Sequence, residues 1–246
     1  MKIAVIGGTG LIGSQVVKIL NDDGHEAVPH SQSSGVNLVT GRGLPDALAG
    51  ADVVVNLTNS PTFDEDSPTF FEESMDNLLA AAEMAGVGHA VVLSILGAEL
   101  VPDLAYYRAK VLQEAMLKVG PVPYSIVRAT QFFEFMDAAM SWTSDETGVR
   151  LPATLIQPMA AADVAQAVAE VSVGSPLMGT RNIAGPDVFT FAELGRITLA
   201  ANDDPRPVVV DDTAGLFAAA SGNALIAKDA DYAVIAKTAY QDWLAR

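Results

Sequence analysis

The chain opens Met1-Lys-Ile-Ala-Val-Ile-Gly-Gly-Thr-Gly-Leu-Ile-Gly13, and few folds accept such a start. Lys2 to Ile6 is a short apolar, β-branched run, as expected of a strand buried on both faces of a parallel sheet. Gly7, Gly10 and Gly13 follow at three-residue spacing. Gly7 suits the tight turn out of the strand, Gly10 lets backbone approach a pyrophosphate, and Gly13 lets the next helix pack close to the strand. A helix over Leu11 to Leu20, ending near Asn21-Asp22-Asp23-Gly24, would aim its first amides at the phosphates. Thr9, Leu11 and Ile12 lie in the same loop and helix start, and join the glycines as dinucleotide contacts.

The rest of the chain repeats strand and helix. Strands are expected at His25 to His30, Ala51 to Leu57, His89 to Gly97 and Tyr124 to Arg128, with helices at Gly43 to Leu48, Phe70 to Ala85 and Tyr106 to Val119. This β-α alternation predicts an α/β fold with a doubly wound parallel sheet. Beyond Phe135 the pattern loosens. A helix is expected over Met136 to Trp142, strand within Val149 to Ile156, a helix over Ala162 to Val173, and strands at Thr180 to Ala184 and Val208 to Val210. Thr190-Phe-Ala-Glu193 reads as a capping box, and the end of the chain as a helix carrying Trp243. The expected division is residues 1–135 as a dinucleotide-binding core and 136–246 as a C-terminal part packed on it as one unit.

Composition narrows the function. Among 246 residues there is no cysteine and only three histidines, so disulfide, thiolate and clustered metal chemistry find no support. The net charge of −16 argues against nucleic acid and anionic membranes as partners. An anionic cofactor must then be held by local amides against the global field. The glycines interrupt the N-terminal apolar run before it reads as a signal peptide, and no stretch spans a bilayer, so a cytoplasmic protein is expected.

In a dinucleotide fold the end of the second strand meets the adenosine ribose, where an acid favours NAD(H). Here the stretch is His30-Ser-Gln-Ser-Ser-Gly35. His30, Ser31, Ser33 and Ser34 could hold a 2′-phosphate, so NADP(H) is preferred and NAD(H) remains an option. Leu57, Thr58 and Asn59 leave the carboxyl end of the third strand, where ligands bind, and are expected to wall the cofactor.

Tyr106 and Lys110 are four apart on one predicted helix face, and Ser94 ends the preceding strand. Carbonyl reduction needs a proton donor as hydride arrives. A tyrosine of pKa about 10 becomes a better acid beside an ammonium. Lys110 would supply that charge and hold cofactor ribose, while Ser94 would hold the substrate oxygen. Either Tyr106 or its neighbour Tyr107 could be the ring that faces the site.

The opening GGTGLIG, SILGAE followed by YYRAK, and the run VRATQFFEF together resemble the short-chain dehydrogenase/reductase superfamily, and most closely its atypical, NmrA-like branch of NAD(P)H-binding proteins. The resemblance implies a Rossmann-type sheet with a small C-terminal substrate-binding lobe. It assigns Ser94, Tyr106 and Lys110 to the catalytic set and places Thr130 and Gln131 beside the nicotinamide. Gln131, Phe132 and Phe133 fall on the substrate side, with Ser94 and Tyr106. The asparagine-rich motif of many relatives survives only as Asn56-Leu-Thr-Asn59. The expected activity is hydride transfer between NADP(H) and a small carbonyl or quinone. The alternatives are a non-catalytic NADP(H)-sensing regulator and, less favoured, a sugar-nucleotide epimerase or dehydratase. Leu151, Pro152, Ala153, Leu155, Ile156 and Met159 suggest an apolar or aromatic substrate; a homo-oligomer is compatible with all of this.

Overall fold

In the computed structural model, residues 1–220 and 222–245 are described. The chain runs β1 (Lys2–Ile6), α1 (Leu11–Asp22), β2 (Glu26–His30), α2 (Leu44–Leu48), β3 (Val53–Asn56), α3 (Ser67–Ala85), β4 (His89–Ile95), α4 (Ala105–Val119) and β5 (Tyr124–Ala129). Then follow α5 (Met136–Ser141), β6 (Ser144–Asp145), β7 (Gly148–Leu151), β8 (Leu155–Ile156), α6 (Ala161–Val173) and β9 (Gly179–Ala184). It closes with β10 (Phe189–Thr190), α7 (Phe191–Ala201), β11 (Val208–Val210), β12 (Val234–Ile235) and α8 (Tyr240–Leu244). A seven-stranded sheet takes the order β12-β9-β5-β4-β3-β1-β2, the Rossmann-type α/β fold that the alternation predicts.

β1 lies between β3 and the edge strand β2, parallel to both, and is buried. Ile3 stands opposite Ala27 on one side and Val53 on the other; Ile6 stands opposite His30 and Asn56. Successive side chains point to opposite faces. Ala4 and Ile6 therefore join Val54, Ala90, Val92 and Ile126 in one core, closed by Leu48, Met75, Leu78 and Leu117 from the helices. α3 starts earlier than expected, at Ser67, because Pro68 sits in its first turn, where a missing amide costs nothing. It stops at Gly86, whose φ of 71° is left-handed.

The chain separates into two compact units, and the expected single cut at 135 is not where they divide. The first comprises Met1–Ile95, Ala105–Arg128 and Val164–Arg181; the second comprises Leu96–Leu104, Ala129–Asp163 and Asn182–Arg246. The reason is the crossover through α6, which gives a late segment to the first unit. Within the second unit, β6, β7 and β11 form one small sheet and β8 with β10 another. The capping box is present: the Glu193 amide donates to Thr190 Oγ1 at 3.1 Å, and the Thr190 amide to Glu193 Oε2 at 2.8 Å. Among the described residues no helix is long and apolar enough to cross a membrane.

Gly13 is the tightest joint at the glycine turn of the first unit. A Cβ there would lie 2.2 Å from the Gly7 carbonyl oxygen, which is backbone and cannot step aside. Gly13→Ala is expected to lower stability by about 1–3 kcal/mol, as overpacking does. Gly88→Ala, whose Cβ would meet only the Asp52 carbonyl at 3.6 Å, should melt almost as the parent does. Thermal unfolding of the two variants checks the contrast.

Candidate active site

The glycine turn is shaped by the strands on either side. Gly7 takes φ +80° and donates its amide to the His30 carbonyl at 2.8 Å. A Cβ on Gly7 would meet the Leu57 carbonyl carbon at 2.9 Å and the Thr58 nitrogen at 3.1 Å. The loop after β1 thus rests on the segment leaving β3, and the two stretches expected to touch cofactor are brought together. Gly10 differs: its Cβ would find only the Gly7 oxygen, at 3.3 Å. A side chain would press on that backbone oxygen, and the position is otherwise open and exposed, which suits close approach by a ligand. Thr9, Gly10 and Leu11 are exposed, whereas the Ile12 side chain is core. α1 begins with no side-chain cap and no acid in its first turn. Its first amides and dipole suit an anion. On these observations the residues present fit the diphosphate of a dinucleotide.

At the end of β2, residues 31–34 form an exposed turn. Ser31 and Ser33 hydroxyls bond each other at 2.8 Å, and Ser34 donates to the Ser31 carbonyl at 2.9 Å. His30 is half-buried. Burial, and then the charge of Lys2, hold its pKa below the usual value, so it is neutral at pH 7.

α4 carries Tyr106 and Lys110, two of the three residues expected to be catalytic. Tyr106, not Tyr107, faces the end of β3: its hydroxyl donates to Asn59 Oδ1 at 2.5 Å. Its ring meets Phe63 edge-on with centroids 4.9 Å apart. Tyr107 is 3% exposed and lies in the interior. The segment that presents Asn59 is fixed by Asn56, which is 2% exposed and accepts from both the Thr58 amide (3.1 Å) and the Thr58 hydroxyl (2.7 Å).

The expected partnership of Tyr106, Lys110 and Ser94 is arranged otherwise. Lys110 lies one turn deeper, donating to the Leu93 carbonyl at 2.7 Å and to Gln113 Oε1, with its ammonium 4.8 Å from the Phe71 ring centre. Burial pulls its pKa down to about 7, against the raising effect of Glu114. Burial likewise pushes the Tyr106 phenol well above its ordinary value, against a smaller opposite effect of the Asn59 bond. Lys110, turned to Leu93 and Gln113, adds no lowering of that phenol, so the expected effect is absent. Ser94 points into the interior. Its hydroxyl is buried without a well-formed partner, beside the Glu114 carboxylate. Burial raises Glu114, but two bonds of 2.7 Å from Arg128, the Ser94 hydroxyl and Lys118 outweigh it and hold it below the usual range.

The remaining expected residues belong to the second unit. Thr130 is buried, with its hydroxyl donated to the Gln157 carbonyl, and Gln131 Oε1 accepts from the Gln157 amide at 3.3 Å. Phe132 is half-buried and bridges Met159. Phe133 is interior rather than lining, packed on Tyr240 and Trp243 with centroids at 4.8 and 5.6 Å. Leu151, Pro152, Ile156 and Met159 are buried as well, so they are core side chains; Leu155 is half-buried and Ala153 exposed. Sequence reasoning missed Phe63, Phe71, Gln113 and Glu114. The last two follow Lys110 by three and four residues, which put them on its helix face. Asn59 and Tyr106 are 47 positions apart, and no local pattern pairs them.

The model of a family described as NAD(P)H-binding matches residues 7–172. The chain belongs to this NAD(P)H-binding family. Its curated relatives include the photosystem II assembly factor Ycf39 of Synechocystis sp., 26% identical over 226 residues, covering 78% of this chain and 67% of that protein. The Ycf39 of Cyanophora paradoxa is 25% identical over 227 residues, covering 78% and 68%. Similar solved structures include a nucleoside-diphosphate-sugar epimerase of Staphylococcus aureus (TM-score 0.74, 15% identity, 100% of both chains). Another is the Thermus thermophilus UDP-glucose 4-epimerase in complex with NAD (0.71, 18%, 85% of this chain and 86% of that one). These neighbours share the Rossmann-type fold of this chain.

The Lys110 shift has a consequence for the family member's own stability. Unfolded, the amine keeps its proton to about pH 10.5; folded, it releases it near pH 7. Between those values the unfolded chain holds more protons at this site, so stability rises with pH and the contribution levels off above them. Melting measured from pH 7 to 10 should show the rise in the parent, and Lys110→Met should flatten it.

Proposed function

We propose that this chain is an NADP(H)-dependent oxidoreductase acting on a small, neutral carbonyl or quinone. The carrying observation is the Tyr106 hydroxyl, held at the end of β3 next to the Leu57–Thr58 stretch that abuts the glycine turn. Gly7, Gly10 and the first amides of α1 would hold the diphosphate. Leu57, Thr58 and Asn59 would wall the cofactor. Bound there, the nicotinamide supplies or accepts hydride. Tyr106, protonated at neutral pH as any phenol is, donates the proton to the substrate oxygen; burial makes it a weaker acid than a free phenol, so donation must be coupled to hydride arrival. Lys110 supports that end of α4 from beneath, through Leu93 and Gln113. Ser94, turned to Glu114, is not asked to hold the substrate.

The preference for NADP(H) rests on the exposed serine turn and the lack of an acid at the end of β2. Exposed Asp64 and Asp66 follow Phe63, which touches Tyr106, and they disfavour a substrate with its own diphosphate. This argues against sugar nucleotides, despite the names of the structural neighbours. A second reading, cofactor binding without turnover, draws on the inward Lys110 and Ser94 and on relatives named as assembly factors.

Calorimetric titration with NADPH and NADH in parallel is expected to give NADPH at least about tenfold tighter, the worth of one good charge-assisted contact. Equal or tighter NADH overturns the reading of residues 30–34. With a carbonyl and quinone panel, Tyr106→Phe should lower kcat by about 10²–10⁴-fold with NADPH affinity unchanged. Tight NADPH binding with no turnover across the panel, together with a co-purifying protein, supports the second reading instead.

A further inference from the structure

A proton donor needs an acceptor, and the Tyr106 phenol already has one. Its hydroxyl bonds Asn59 Oδ1 at 2.5 Å, the arrangement that a substrate carbonyl would require. Resting on the reading of Tyr106 as donor, we propose that Asn59 Oδ1 stands in the place of the substrate's carbonyl oxygen. The 59–65 segment is then a cover that the substrate displaces.

Three contacts, all from this segment to the start of α4, hold the cover down. Asn59 takes the phenol hydrogen bond, and Phe63 lays its edge on the phenol ring, 4.9 Å away. Glu65 accepts from Arg108 Nη2 through both carboxylate oxygens, at 2.8 and 2.6 Å, two residues beyond Tyr106. The ends are anchored differently. Asn56, buried, clamps Thr58 just before the segment; within it Ser60 is buried, and Ser67, buried at the head of α3, donates to the Thr62 carbonyl at 2.8 Å. The anchors are interior, whereas the latch is exposed, with the Glu65 side chain 79% accessible. Exposed ion pairs and single neutral hydrogen bonds are weak and easily exchanged with a competitor. So the Asn59, Phe63 and Glu65 side chains can swing off α4 while the backbone at Thr58, Ser60 and Thr62 stays in place.

The displaced group describes its replacement. Asn59 offers a neutral carbonyl oxygen beside an aromatic edge, so the ligand is an uncharged carbonyl compound with a flat apolar body. Asn59 acts here as a competitor: its Oδ1 keeps the phenol hydrogen until another oxygen replaces it, and so sets the selectivity of the exchange.

Acetylation by N-acetylimidazole, read by peptide mass spectrometry, tests the cover without any turnover. Tyr232, 89% exposed, and Tyr107, 3% exposed, give the fast and slow references within the same chain. Tyr106 should react slowly in the parent and about tenfold faster in Asn59→Ala and in Glu65→Gln, the worth of one lost contact. Tyr106 reacting as fast as Tyr232 in the parent, or at an unchanged rate in both variants with unchanged melting, overturns the proposal. With phenanthrenequinone and NADPH, Glu65→Gln, which loosens the latch away from the phenol, should lower KM and leave kcat unchanged, whereas Asn59→Asp, a stronger acceptor, should raise KM. A rise in KM for both variants assigns the segment a merely structural role and overturns the proposal. If the parent reduces no carbonyl, the donor reading fails by itself, and the acetylation rates still decide the cover.

Discussion

The first unit depends on one close approach: the backbone of α1 at Gly13 against the carbonyl of Gly7, where even a methyl group would collide at 2.2 Å. That approach keeps the turn after β1 short and directs the uncapped start of α1 to the end of the sheet. With the turn fixed, Gly7 can rest on Leu57 and Thr58, and the segment leaving β3 is held where Asn59 reaches α4. Anion-binding amides and the phenol are therefore consequences of one packing constraint. Gly10 is exposed and crowded only by that same Gly7 carbonyl, at 3.3 Å, so its outer side is open to a ligand.

Beneath the phenol, α4 carries an ionic interior. Lys110, Gln113 and Glu114 are all nearly inaccessible, with Arg128 closing on Glu114 from β5. Such groups survive burial only when their polar atoms are matched, and here each charge has its partners. The network orients α4 by several directional bonds, which apolar packing alone would not do. The first turn of α4, with Tyr106, inherits that orientation.

Much of this was legible from the residues. β1 coincides with its expected run, and the Gly7 and Gly13 roles, the order of strands and helices, and the capping box at Thr190 follow from local patterns. Side-chain direction was less accessible. Ser94 sits near the end of β4 as read, but a period of two sends its hydroxyl inward, and only register reveals which way. Lys110 shares a helix face with Tyr106, yet one turn along α4 takes it from the rim to the interior. Phe133 and Met159 read equally well as pocket or core, because apolar side chains serve both. The crossover through α6 could not be seen from a division made along the chain, since neighbours in space here are distant in order.

The acidity of the chain has a kinetic side. A molecule of net charge −16 repels a phosphorylated cofactor at long range, yet the start of α1 attracts it at short range. Salt screens the distant repulsion far more than the contact attraction. Encounter with the cofactor therefore quickens as ionic strength rises from very low values, and the protein captures its ligand more readily at physiological salt than in dilute buffer.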